Sequence, residues 1–362
     1  MISRKSTALG EIVNFSELSL VIRYCNILDS NYRCYNPTMT LLAYENRLTL
    51  TMDELRRLPL HRVDAESSRL KEAFEIAYKH DIFRVVDLPD FEQGDARFKL
   101  FSALTRYSGS LVFLGIQILA ANNIMNANDF SLKQEYFNKR CGIAINHLRA
   151  PVTVVSAQEN EDGFRLTGTL TWASGYGIFD TLLVGFHCAG AEYVAVVPFT
   201  EAEGFKIGDP AESFVGESMA TVDIALDNFL VPADHIVASF PLGSYSAAKS
   251  ISKTVHIAIY SLGLGAIEQL KDETVKKDAA MKLEAIKDAF METQNGEIMD
   301  RLRIELFRLV QDIITTGMVL VGGKFVLSIE TLQRYYRELI MFNSNGLNDT
   351  IKGLFKEKFL SS

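Results

Sequence analysis

The chain is poor in residues that staple a fold, hold a metal or carry a single excess charge. Four cysteines occur in 362 residues, at Cys25, Cys34, Cys141 and Cys188. No two stand at C-x-x-C spacing, and no histidine lies at ligand spacing from any of them, which excludes a disulfide scaffold and a zinc module. They read as free thiols of a reducing cytoplasm, and a cytoplasmic protein is expected. Acidic residues outnumber basic ones, 45 to 37, and no dense Lys/Arg run appears. A general nucleic-acid role is excluded, because phosphate neutralisation needs a basic surface. The first 30 residues lack a signal-peptide layout, since Glu11, Asn14, Glu17 and Arg23 interrupt the apolar positions. The most apolar stretch, 111–121 (LVFLGIQILAA), is too short to span a bilayer and reads as a buried helix. Internal repeats are absent, and tryptophan occurs once, at Trp172.

What is present has three parts. Residues 66–80 place Leu70, Ala73, Phe74 and Ala77 on one helical face. Residues 97–107 and 109–126 read as two further helices, the second apolar nearly all round and so central in its bundle. Before them, TLLAYENRLTLTMDELRRLPL suggests a strand-like run and then a helix capped by Thr51 or Asp53. The character changes after about residue 138. PVTVVSAQ, FRLTGTLTWAS, DTLLVGFHC, EYVAVVPF and ATVDIALDNFLV alternate or run apolar, split by Gly, Asp and Pro turns. From about 246, four long helical patterns return, an up-down bundle. The fold class is therefore α+β: an N-terminal helical domain (1–137, with 1–65 divergent), a β-barrel or sandwich (138–240) and a C-terminal four-helix bundle (241–362).

Three segments make this order specific. LTGTLTWASGYGIFDTLLVGF (166–186) carries the lone tryptophan with Ser174 two residues on. ESMATVDIALDNFLVPADHIV (217–237) closes with Val231-Pro232. VGGKFVLSIETLQRYYRE (321–338) holds Gly322-Gly323 and, one helix later, Arg337-Glu338. Together they resemble the flavin-dependent acyl-CoA dehydrogenase superfamily, over roughly residues 95–362. The resemblance implies FAD, with Trp172 beside the flavin ring and Ser174 at its N5 edge. It puts Ile145 and Asn146, in GIAINHLRAP, near the flavin pyrimidine, and Gly322 and Gly323 close to a neighbouring subunit's FAD. It also implies a homodimer or homotetramer and an acyl thioester substrate, on CoA or on an acyl-carrier protein. Metal sites and a membrane span are not expected.

The same resemblance exposes gaps. The family's usual glutamate base precedes a glycine after the Arg-acid pair, and here Asn345 precedes Gly346. An amide cannot take the Cα proton. The alternative place for that base, near Thr254, has no carboxylate, although His256 is close, and His147 is a second weak candidate. The Gly-Ala-Gly-Ser-type loop and the Arg-x-x-Phe-Gly segment of the family are missing. Three functions stay open: an FAD-dependent oxidoreductase on an acyl thioester without the glutamate, a flavin-dependent monooxygenase of the same fold, and a non-catalytic scaffold or complex subunit. The single tryptophan can also be an ordinary core residue of a β-domain.

Overall fold

A computed structural model describes residues 39–149, 153–247, 252–327 and 329–360. Cys25, Cys34 and the rest of the first 38 residues lie outside that set. Helices come first: α1 (Leu41–Leu55), α2 (Leu60–Ala65), α3 (Ser67–Lys79), α4 (Asp90–Tyr107), α5 (Gly109–Ala127) and the short α6 (Lys133–Tyr136). The strand-like run before residue 51 is not a strand. α1 is one continuous helix capped by Thr40, whose hydroxyl accepts from the Ala43 N–H at 3.3 Å. Tyr44, Leu48, Thr51, Met52 and Leu55 are buried, a spacing of three and four that overrides the alternating Leu-Thr-Leu-Thr pattern. Thr51 and Asp53 are therefore interior helix positions rather than caps, and the Thr51 hydroxyl donates to Arg47 O at 2.7 Å.

Among the described residues, α5 alone is long and apolar enough to cross a membrane, being longer than the run 111–121. Some 61% of that stretch is buried inside the protein. It packs on α3, α4 and β1, so its apolarity is that of a core helix.

The strands are β1 (Cys141–Ala144), β2 (Val155–Asn160), β3 (Gly163–Ala173), β4 (Thr181–Cys188), β5 (Ala191–Pro198), β6 (Phe205–Ile207), β7 (Val222–Pro232) and β8 (Ile236–Pro241). They form one sheet in the order β6-β7-β3-β2-β4-β5-β8, with β1 parallel to β4. Its two halves join at a single pair, Ser156 opposite His187. They face each other through Phe164 of β3, whose ring lies 5.5 Å from Phe186 of β4 and 5.0 Å from Tyr193 of β5. The strands β1, β6 and β8 were not legible in the sequence, being short or lacking alternation.

The third part holds α7 (Ser244–Ala247), α8 (Thr254–Gln269), α9 (Glu273–Glu292), α10 (Gly296–Val321), α11 (Thr331–Ser344) and α12 (Asp349–Leu360). α8, α9, α10 and α11 pack on one another. Gly265 of α8 allows the closest approach: a Cβ there would sit 2.6 Å from the Tyr335 hydroxyl of α11.

Candidate active site

β3 ends in an irregularity. Its register with β7 shifts between Leu170 and Ala173, and Trp172 adopts a left-handed φ of 62°. A bulge of this kind re-aims a side chain. The indole is 71% exposed, which removes the core-tryptophan reading. Its backbone N–H donates to Asp223 Oδ1 at 3.2 Å. Ser174 follows and is buried, its hydroxyl 2.8 Å from Thr221 Oγ1, while the Gly175 N–H donates to Met219 O at 2.7 Å. These bonds tie the end of β3 to the start of β7 and fix the backbone that carries the exposed indole.

After β1 the chain makes a short 3₁₀ turn, Asn146–Arg149. Ile145 is buried and Asn146 is exposed, so from Ile145 only backbone could reach a ligand. The carbonyl of Gly185 accepts from His147 Nε2 at 2.9 Å, which fixes the neutral tautomer with its proton on Nε2. Burial lowers its pKa, with His187 adding to the effect and the Gly185 bond opposing it.

His256 is elsewhere. It sits inside the bundle, its Nε2 donating to Met299 O at 2.9 Å and its ring 5.4 Å from Phe290. Burial pushes its pKa down to about 4. Its Nδ1 is buried with no hydrogen-bond partner. A histidine that stays neutral and enclosed is a packing residue, not a base poised near neutral pH.

The turn between α11 and α12 holds Asn345 and Gly346. Arg303 of α10, buried, donates from Nη2 to Asn343 O at 2.5 Å and to Asn345 O at 2.8 Å. It thereby caps the end of α11. Burial lowers its pKa to about 10, with nearby Arg149 adding to the shift and Asp300 opposing it. Gly346 has φ 64°, and a Cβ there would lie 3.2 Å from Arg149 Nη1. Two guanidinium groups thus flank the position at which the superfamily pattern leads one to look for a carboxylate.

Arg337 and Glu338, adjacent in the sequence, bond to different partners. Arg337 Nη2 bonds Asp64 Oδ2 of α2 at 2.7 Å, and its Nη1 donates to Phe214 O at 2.9 Å. Glu338 turns inward, taking both 2.9 Å bonds from Arg334 Nη1 and one of 2.8 Å from the Gly109 N–H. Neighbours on a helix point about 100° apart, so two adjacent charges find two different partners. A cleft of about 610 Å³ opens beside Asp64 and Arg337, with Phe214, Glu217 and Tyr336 also lining it.

Gly322 and Gly323 end α10. Nothing lies within 4 Å of a Cβ added to either. The turn is rimmed by exposed Val319, Leu320, Val326 and Ile329. The glycines therefore keep open a surface that another group could approach closely. No group of three or more His, Cys, Asp or Glu able to hold a metal occurs among the described residues.

No family model matches the sequence, and no curated protein matches it. Solved structures do match in shape. The chain is similar to butyryl-CoA dehydrogenase from Megasphaera elsdenii, with a TM-score of 0.71 at 12% identity over 92% of this chain and 100% of that one. It is similar to dibenzothiophene monooxygenase from a Paenibacillus species, with a TM-score of 0.65 at 14% identity over 88% and 95%. It is also similar to KijD3 in complex with FMN and a dTDP-linked amino-keto sugar, at 0.65 and 15% over 92% and 97%. The chain has the acyl-CoA dehydrogenase fold. At these identities the likeness establishes architecture, and chemistry must come from the site.

Proposed function

We propose that the protein is a flavin-dependent oxidoreductase acting on an acyl thioester, carried on CoA or on a carrier protein, with no carboxylate base at the α11–α12 turn. The observation that carries this reading is Trp172, the single tryptophan, held outside the sheet in a left-handed conformation and 71% exposed. Folding alone gives no reason to keep a large aromatic in a backbone state that costs about 1–3 kcal/mol. A flavin, when bound, would supply the acceptor for a hydride. FAD is the form the superfamily pattern favours.

The chain's own residues would do the rest. Trp172 offers a face for an aromatic ring. Ser174, paired with Thr221, can present its hydroxyl to a ring nitrogen without rotating freely. On the proton side, His147 is the titratable group in reach of the β1 turn. Its Nε2 is held by Gly185 O, and burial favours its neutral form. Asn345 contributes its carbonyl to Arg303 rather than any base. The apolar surface around Gly322-Gly323 supports a homo-oligomer, since it would be covered by a second copy. The missing carboxylate favours, as a second reading, an oxygen-using flavin enzyme of the same fold.

The test uses the one tryptophan as a reporter. The purified full chain is titrated with FAD and, separately, FMN, following Trp172 emission and visible absorbance. Strong quenching with a protein-bound yellow spectrum is expected. A colourless protein whose emission ignores both flavins would sink both enzyme readings and leave the scaffold. If flavin binds, anaerobic bleaching by acyl thioesters separates the first reading from the oxygen-using one, which would show substrate-dependent oxygen uptake.

A further inference from the structure

Arg149 has an arrangement that the fold does not explain. Its guanidinium lies over the Tyr245 ring, 5.1 Å from the centroid. Tyr245 cannot drift, because buried Glu192 accepts from the Gly243 N–H and the Tyr245 N–H, each at 2.8 Å. Stacking occupies the face of a guanidinium and leaves its in-plane donors available. Among the described residues no carboxylate pairs with Arg149. Arg303, its cationic neighbour, has Asp300 as a nearby negative charge. Gly346 packs close against this side chain, since a Cβ there would come within 3.2 Å of Arg149 Nη1. Arg149 is partly exposed, so a ligand can reach it.

A stacked guanidinium that no carboxylate pairs with among the described residues is suited to receive an oxyanion. We propose that Arg149, beside the α11–α12 turn, binds an anionic group of the substrate, a carboxylate or a phosphate. This rests on the thioester reading above for the identity of the substrate, but not for the existence of the anion site. If the anion is the far carboxylate of a dicarboxylic acyl chain, the protein selects acidic acyl groups. If it is a phosphate of the carrier, Arg149 selects the carrier. The turn then orients the substrate by charge where a carboxylate base would repel it.

The experiment compares adipoyl-CoA with hexanoyl-CoA, and hexanoyl-CoA with the phosphate-free hexanoyl-N-acetylcysteamine, by calorimetry on the full chain with any flavin it binds. One charged hydrogen-bonded contact corresponds to roughly tenfold or more in affinity. A preference of that size for adipoyl-CoA, erased in Arg149→Gln and largely kept in Arg149→Lys, supports the carboxylate. A preference for CoA over the phosphate-free thioester, erased in the same way, supports the phosphate. Gly346→Asp, an acceptable residue at positive φ, should supply an internal carboxylate and abolish either preference while the protein stays folded. Inorganic phosphate is titrated in parallel. Phosphate binding that Arg149→Gln removes, with no thioester bound, would sink the thioester reading and keep the anion site. Equal affinities in wild type and Arg149→Gln for every probe would overturn the proposal.

Discussion

The two ends of α11 handle charge in opposite ways. Near its start and middle, charges are closed off: Arg334 with Glu338 and the Gly109 N–H, Arg337 with Asp64 and Phe214 O. These bonds join α11 to α2, to α5 and to the loop before β7. At its far end, Arg149 and Arg303 approach the turn, and among the described residues no carboxylate pairs with Arg149. Buried ion pairs across these contacts hold the elements together, and removing one partner is costly. An unpaired cation at a partly open turn does little for the fold and is there for something else. The difference separates residues that assemble the three parts from residues that act where those parts meet.

The comparison breaks first at Glu338. Glu338→Ala leaves Arg334 buried without its counter-charge and the Gly109 N–H without an acceptor, so urea unfolding should show a loss of about 3–5 kcal/mol. A loss no larger than for a surface mutant would mean that the junction is not held by this pair.

His256 offers the next largest effect, and its sign follows from its lowered pKa. An unfolded histidine titrates near 6.5, and this one near 4 because of burial. Between those values the unfolded chain takes up the proton first. The stability that His256 contributes is therefore complete above about pH 6.5 and is lost as pH falls toward 4, by up to ~3 kcal/mol. Stability measured across pH 4–7 should be flatter in His256→Gln than in wild type. An identical slope in both would place the ring in a more open setting than between Met299 and Phe290.

The smallest effect sharpens the contrast between fold and site. Trp172→Gly relieves a left-handed backbone and removes an exposed ring, so thermal unfolding should be unchanged or stabilised by about 1 kcal/mol. Flavin retention, followed by equilibrium dialysis, should fall. A destabilised variant would show that the indole serves the sheet after all.

Much of this was readable beforehand, and the failures have physical causes. α3 and α5 announced themselves through Leu70, Ala73, Phe74, Ala77 and the unbroken apolar run after Gly109, because periodicity reports which face is buried. α1 misled because Leu48-Thr49-Leu50-Thr51 alternates like a strand, while its burial at Tyr44, Leu48, Met52 and Leu55 follows the helical repeat. Trp172 and Ser174 were singled out by the resemblance of their segment to the superfamily, yet their setting depends on Asp223 and Thr221, about fifty residues away. Arg149 was passed over entirely. It stood in a quoted segment, GIAINHLRAP, but nothing local marks an arginine as unpaired.

By itself, then, the sequence determined the order of helices, sheet and bundle, and the one tryptophan at the end of a strand. Each of these depends on near neighbours in the chain, through period, turn chemistry and spacing. Tertiary structure alone decided that Arg337 meets Asp64 while Glu338 meets Arg334, that His256 is sealed in the bundle, and that Arg149 faces Gly346 nearly two hundred residues on. Those outcomes depend on helix phase and on which surfaces are pressed together, and a linear pattern carries neither.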